Sequence, residues 1–213
     1  MTEASGALGA GFSVEVAKAW ERALFADDLP HTRRVALRSA IVLGHGGVLG
    51  PLERLARLGL GGAQHDGRWP VSRARRAAGT GHFPGALHGT QRFSWVHIDD
   101  VARIIDFLEV TPSIEGPVNA ASPNPSDNAG FMATVRRVLG VGFGPPLPRW
   151  MLELGAIGIR TETELVLKSR WVIPEKLTTA GFAFAYPELE GAVRESFSRT
   201  SRSAGSSSGK AKG

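Results

Sequence analysis

The chain has 213 residues, 42% of them hydrophobic, which is enough to bury one core and part of a second. It has no cysteine, which excludes a disulfide framework and any thiolate nucleophile or metal site and fits a reducing compartment, the cytoplasm or a plastid. The net charge is +5, but the basic excess lies in two segments without helical or strand period, 64–90 and 198–213, so nucleic-acid binding is not expected.

The first predicted elements alternate between helix and strand. The apolar residues Val14, Ala17, Trp20 and Ala23 recur at helical spacing, and the run RVALRSAIVL is typical of a strand covered on both faces. No run of about 18 apolar residues occurs, so no membrane span is expected. The predicted elements are a flexible N-terminus over 1–11, a helix over 14–25, a strand over 34–43, a glycine loop over 44–47 and a helix over 49–58.

The segment 64–90 is rich in arginine, glycine, proline and alanine and follows neither period. Loops of this length without structure are uncommon inside compact domains. We therefore interpret 64–88 as a disordered insertion rather than an ordered functional lid. Regular patterning returns in a strand over 92–98 and a helix over 101–109, for which Asp99 or Asp100 is the predicted N-cap.

The C-terminal part has mostly helical patterning. Its predicted elements are a strand over 116–121, a helix from Ser126 or Asp127 to Leu139, helices over 150–157, 161–169 and 175–180, a short strand over 182–184, a helix over 187–197 and a disordered tail over 198–213. The alternation of strands and helices predicts an α/β fold with parallel pairing. Only three or four strands precede Ala121, whereas a doubly wound nucleotide-binding sheet has six, so the predicted sheet is incomplete.

Two motifs could carry chemistry. The glycines of Gly44-x-Gly46-x-x-x-Gly50 lie between a strand and a helix, as in a phosphate-binding loop, but no acidic residue follows about 20 residues later to bind a ribose. A turn with positive φ angles is therefore the favoured interpretation. His97 ends a strand, where open α/β sheets keep their sites, although a histidine there is more often structural. The other histidines are scattered without metal-ligand spacing, so no metal site is predicted.

Several phrases, taken in chain order, resemble one family. They are RVALRSAIVLGHGG, RLGLGG, GTQRFSWVHIDD, GPVNAASPNP and RWVIPEKLTTAGFAFAYPELEGAVRE. Together they are similar to the C-terminal part of the atypical extended short-chain dehydrogenase/reductases of the nucleoside-diphosphate-sugar epimerase-like type, whose bacterial members are also labelled cell-division inhibitors. The most specific phrases are the ones over 89–100 and 177–187.

The resemblance implies an NADP or NAD cofactor and a nucleotide-sugar substrate. It assigns 12–110 to the C-terminal half of a Rossmann-like NAD(P)-binding domain and 111–197 to a small, mostly helical substrate-side domain. The family's nucleotide loop has no match here, and its catalytic Tyr-x-x-x-Lys would fall near Phe12 and Val16, which cannot move a proton. The implied site residues are Arg38, Ser39 and Gly44 on the cofactor side and Gln91, Ser94, Trp95 and His97 on the substrate side.

The residues and the family resemblance leave three candidate functions open. The first is a truncated NAD(P)-dependent epimerase or reductase, weakly active or inactive until an N-terminal half or a second copy completes it. The second is a non-catalytic interaction or regulatory module derived from that family. The third is a basic RNA-binding or membrane-surface protein, whose binding would weaken steeply with salt.

Overall fold

The structure is a computed structural model that describes residues 1–5, 12–65, 89–148 and 171–208. The predicted helices over 150–157 and 161–169 and most of the predicted insertion, 66–88, lie outside the described residues. The described helices are α1 (Phe12–Leu24), α2 (Leu49–Arg57), α3 (Ile98–Val110), α4 (Asn128–Leu139), α5 (Glu175–Thr179) and α6 (Leu189–Ser208). The described strands are β1 (Val35–Ser39), β2 (Ile41–Leu43), β3 (Gln64–His65), β4 (Arg92–Phe93), β5 (Trp95–His97), β6 (Gly116–Ala120), β7 (Ser126–Asp127) and β8 (Leu147–Pro148).

Short parallel strand pairs confirm the predicted α/β, Rossmann-like fold. β1 pairs with β6, and β2 pairs with β5, both in parallel. The predicted strand over 34–43 is therefore divided at Ala40 between two partners. The predicted strand over 92–98 is divided in the same way at Ser94, because β4 pairs antiparallel with β7.

The β1–β6 pair has an open edge within the described part of the chain. The amide of Gly116 donates to the carbonyl of Arg34, and the amide of Ala40 donates to the carbonyl of Ala120, each at 2.9 Å. Because the residues of a strand bond alternately to its two sides, Val35, Leu37 and Ser39 direct their amides and carbonyls away from β6. No described strand pairs with that side of β1.

Two hydrophobic clusters lie on the two faces of β5. Trp95 belongs to a cluster with Leu43 and Phe131, whereas the next residue, Val96, belongs to a cluster with Ile104 and others. Adjacent side chains of a strand point to opposite faces, so this short strand contributes to both clusters. Its position explains why the region 92–100 is so strongly patterned in the sequence.

Three segments that the sequence predicts to be flexible or disordered contain described residues with defined contacts. In the N-terminus, the carbonyl of Met1 accepts a hydrogen bond from the amide of Ile173 at 2.9 Å. The first two residues of the predicted insertion form β3, which pairs in parallel with β8. In the predicted tail, α6 continues to Ser208, and Arg199 bonds to Glu195 one turn earlier and to Asp99 of α3.

The prediction of a short strand over 182–184 is wrong. Phe182 contacts Phe107 of α3 edge-on, with ring centroids 5.2 Å apart, and it contacts Phe184 at 4.8 Å. The segment has no assigned strand conformation. The alternation of aromatic residues therefore reflects packing against α3 rather than a strand ladder.

Candidate functional site

His97 lies fully buried at the end of β5 and caps α3. Its Nδ1 accepts a hydrogen bond from the backbone amide of Asp99 at 3.3 Å, so the N-cap is His97 and not, as predicted, Asp99 or Asp100. Since a neutral imidazole has one donor and one acceptor, the proton of this ring is on Nε2. Nε2 is buried and has no hydrogen-bond partner among the described residues. The ring centroid is 4.1 Å from that of Tyr186.

The two aspartates after His97 bind in different directions. Asp99 pairs with the guanidinium of Arg199 through two hydrogen bonds, one of them 2.9 Å long, and so holds α6 against α3. Asp100 is fully buried and accepts hydrogen bonds from the amides of Ala185 at 2.7 Å and Tyr186 at 3.0 Å. Asp100 thereby fixes the loop that places Tyr186 against His97.

A signal in the sequence could have identified the role of Asp100. Asp100, Ile104 and Leu108 are the buried residues of α3 and are spaced by four, so they lie on one face of the helix. A carboxylate on the buried face of a helix needs a hydrogen-bonding partner in the interior. Adjacent acidic residues at a helix start were instead interpreted as caps, because capping is the commoner role there.

The residues predicted on the substrate side are buried in this structure. Trp95 is fully buried in the first hydrophobic cluster, and its Nε1 donates to the carbonyl of Asn124 at 3.1 Å. The hydroxyl of Ser94 accepts a hydrogen bond from the amide of Val172 at 2.8 Å, and Gln91 is 2% exposed. Contact of these residues or of His97 with substrate stays a prediction.

The residues predicted on the cofactor side fall into two places. Arg38 and Ser39 end β1, and the Nε and Nη2 atoms of Arg38 both donate to the carboxylate of Glu21 at 2.7 Å. Gly44 instead follows β2, which pairs with the strand of His97. A Cβ atom at Gly44 would lie 3.0 Å from the side chain of Ile98, so packing explains this glycine.

The glycine loop is a turn. Gly46 and Gly47 have φ angles of 75° and 51°, which residues other than glycine rarely adopt. These angles agree with the favoured turn interpretation at Gly46, whereas the other two glycines of the motif, Gly44 and Gly50, do not have positive φ angles.

The ion pair of Arg38 and Glu21 is only part-buried. The hydrogen bond from Arg38 lowers the pKa of the Glu21 carboxyl, although desolvation opposes the change. The hydrogen bond to Glu21 raises the pKa of Arg38, and the charge of Glu3 makes a smaller contribution in the same direction. The guanidinium is therefore charged and already has an anionic partner.

Two surface clefts in the described part of the chain are lined by none of the predicted site residues. One, of about 300 Å³, lies between α3 and the loop at Phe182. The other, of about 620 Å³, lies beside Arg33, Arg34 and Pro112. Arg33 donates to the carbonyls of Leu108 and Ile114, so its charge stabilises the end of α3 there. No described helix is long and apolar enough to span a membrane, and no described acidic or histidine side chains form a metal-binding cluster.

Burial makes His97 a source of pH dependence. Desolvation lowers its pKa from an ordinary value of about 6.5, and the charge of Arg199 acts in the same direction, whereas Asp99, Asp100 and Glu195 oppose the shift. As the pH falls through about 6.5, His97 therefore becomes protonated in the unfolded chain but stays neutral in the folded chain. The stability that neutral His97 contributes is fully present above about pH 6.5. It is lost as the pH falls below this value, until the pKa of His97 in the folded state is reached.

We expect the urea midpoint of unfolding to be lower at pH 5.5 than at pH 7.5, in part because of His97. The variant His97→Gln does not titrate, and its amide oxygen retains an acceptor for the cap. It should show a smaller midpoint difference between these two pH values than the wild-type chain. Equal differences in the two proteins would contradict the role of His97.

A family model described only as a domain of unknown function, DUF1731, matches residues 147–196. The human epimerase family protein SDR39U1 is 32% identical over 165 residues, which are 77% of this chain and 48% of the human protein. The epimerase family protein YfhF of Bacillus subtilis is 34% identical over 109 residues, which are 50% of this chain and 34% of YfhF. The chain thus spans about half the length, or less, of these relatives.

Solved structures show the same likeness. The crystal structure of human SDR39U1 isoform 2 with NADPH superposes with a TM-score of 0.70 at 29% identity, over 92% of this chain and 58% of that one. A nucleoside-diphosphate sugar epimerase from Corynebacterium glutamicum superposes with a TM-score of 0.61 at 23% identity, over 96% of this chain and 36% of that one. The second likeness concerns the fold alone.

Proposed function

Because this chain belongs to the atypical extended short-chain dehydrogenase/reductase family of epimerase-like proteins, we propose that it forms the substrate-side half of an NAD(P)-dependent epimerase or reductase site. A second segment would pair with the open edge of β1 and supply the nucleotide-binding half. The observation that supports this most is the edge itself, where Val35, Leu37 and Ser39 have no described strand partner. An unpaired strand edge is a template for another strand.

The described residues do not by themselves fit a dinucleotide. The Nε and Nη2 donors of Arg38 bind Glu21, and the space above Gly44 is filled by Ile98. Neither Phe12 nor Val16 can supply the phenol and amine of the family's catalytic pair. We therefore assign no chemical step to this half alone, and its contribution is to shape the substrate side around His97 and the loop at Tyr186.

The family resemblance makes a nucleotide sugar the proposed substrate class. The human relative whose structure contains NADPH makes NADP the first cofactor to test, with NAD as the alternative. Whether the nucleotide-binding half comes from the same polypeptide or from another one does not change the proposed site.

Pairing at the edge can be tested with Leu37, whose amide points away from β6. The partner is the part of human SDR39U1 that this chain does not match. In Leu37→Pro the outward amide is lost, but the hydrogen bonds to β6 from the neighbouring residues remain, and proline is tolerated in edge strands of this kind. We expect wild-type chain and the matched control Leu37→Val to form a complex with that partner in size-exclusion chromatography, and Leu37→Pro to lose it.

Complex formation by a folded Leu37→Pro variant would overturn the proposed pairing, and so would failure of the wild-type chain to bind the partner. The same edge supports a second candidate function, a non-catalytic module that adds a strand from a regulatory partner. A complex that forms through β1 but never binds NADPH or NADH would favour this second function.

A further inference from the structure

The chain's own first residues contact the carboxyl end of β6, on the side of this strand that faces away from β1. Arg38 and Asn119 are register partners and each is the last but one residue of its strand. Ligands of open α/β sheets bind at the carboxyl ends of the strands. In this structure Oε1 of Glu3 accepts a hydrogen bond from the backbone amide of Asn119 at 3.0 Å, so a carboxylate lies at that position.

The segment Met1–Ser5 also contacts the neighbouring segment 171–173. The carbonyl of Met1 accepts a hydrogen bond from the amide of Ile173 at 2.9 Å, and the carbonyl of Ile173 accepts another from the side-chain amide of Asn119 at 3.1 Å. Residue Val172, in between, donates to the hydroxyl of Ser94. The segment therefore lies against β6 and against 171–173, and Val172 in turn contacts Ser94, which the family resemblance assigns to the substrate side.

The carboxylate of Glu3 is held imperfectly. Its Oε2 atom is buried and has no hydrogen-bond partner among the described residues. A buried carboxylate oxygen without a partner is costly, because it has lost its water and gained no donor. The positive charge of Arg38 is close enough to interact with Glu3, but its donors are directed to Glu21. A ligand with a better-placed anionic group would therefore displace this segment.

We propose that Met1–Ser5 is an internal occupant of the ligand cleft, in which the Glu3 carboxylate fills a subsite for an anionic group of the ligand. This inference rests on the proposed function for the location of the cleft. The subsite is the amide of Asn119 with the guanidinium of Arg38 nearby, and it takes a phosphoryl or carboxylate oxygen. The segment competes with the ligand, so apparent affinity is reduced by the fraction of time in which Glu3 occupies the subsite.

The test is a titration of the full chain with inorganic phosphate, and in a parallel series with acetate, followed through the NMR signal of the Asn119 amide. Glu3→Ala empties the subsite, whereas Glu3→Gln retains an acceptor and removes the charge. We expect Glu3→Ala to bind phosphate about tenfold or more tightly than the wild-type chain, since a site that is mostly occupied loses affinity in proportion. Saturation by phosphate alone assigns the subsite to a phosphoryl group, and saturation by both anions assigns it to anions in general.

Glu15→Gln is the matched control, because Glu15 is an exposed carboxylate on α1 that pairs with Lys18. It should behave like the wild-type chain. Equal phosphate affinity in Glu3→Ala and the wild-type chain, no binding to either, or an equal gain in Glu15→Gln would overturn the proposal. If Glu3→Ala fails to fold, Glu3→Gln is compared instead; it should also bind phosphate more tightly than the wild-type chain, because its amide lacks the charge that interacts with Arg38. These titrations need neither NADPH nor a second protein half, so their outcome is separate from that of the proposed function.

Discussion

Replacing Trp95 with alanine is expected to lower the free energy of unfolding by about 3–5 kcal/mol, the usual cost of truncating a large buried aromatic residue. Trp95 is fully buried among Leu43, Phe131 and other residues of the first cluster. Its indole also donates to the carbonyl of Asn124, which would lose its partner. The measurement is urea unfolding followed by circular dichroism, which does not depend on tryptophan fluorescence.

Trp20 provides a matched control for this substitution. It is 73% exposed on α1, so Trp20→Ala removes the same atoms without leaving a cavity. Its effect should stay within about 0.5 kcal/mol of the wild-type value, as for most surface substitutions. Similar unfolding free energies for the two variants would show that Trp95 does not contribute to the core of this chain.

Asp100→Ala is expected to lower the free energy of unfolding by about 3 kcal/mol, because two amide donors lose a charged acceptor. These amides belong to Ala185 and Tyr186, so the variant should also release the loop that holds Tyr186 against His97. The unfolding free energy gives the first effect, and the chemical shifts of the His97 ring, which lies beside the Tyr186 ring, give the second.

Asp106 is the control on the same helix, since its side chain is exposed. Asp106→Ala should leave both the stability and the His97 ring shifts close to those of the wild-type chain. If Asp100→Ala and Asp106→Ala have the same effect, the carboxylate of Asp100 does not anchor the loop.

Local patterning was sufficient to predict most helices and the parallel α/β arrangement. The helix over 14–25 and the helix that ends at Leu139 were predicted to within about two residues, which is the uncertainty of helix boundaries. These elements have their own hydrophobic period and capping residues, so they can be recognised without knowledge of their neighbours. Gly140, in the left-handed conformation, ends α4 as expected of a C-terminal glycine.

The errors occurred where a distant partner decides the structure. The strand over 34–43 is divided at Ala40 because β6 and β5 offer two different ladders, and no local pattern records that division. The tail beyond Ser198 has a composition typical of disorder, yet Arg199 meets Asp99, which precedes it by 100 residues. Phe182 and Phe184 alternate like a strand but pack on α3.

For the candidate site, the sequence predicted which residues lie at the ends of strands but not the contacts that these residues make. A histidine at the end of a strand more often has a structural hydrogen-bonding role, and His97 does cap α3, while its predicted contact with substrate stays a prediction. The partners of Asp100, Arg38 and Glu3 are set by chain segments that come together only in the folded protein. Residue spacing carries no information about such contacts.

A calorimetric titration with NADPH tests the proposed half-site most directly. It compares the chain alone with its complex with the unmatched part of human SDR39U1, and NADH serves as the second ligand in each case. The proposal predicts no saturable binding to the chain alone and micromolar binding to the complex. Micromolar binding of NADPH to the chain alone, or a stable complex that binds neither nucleotide, would contradict it.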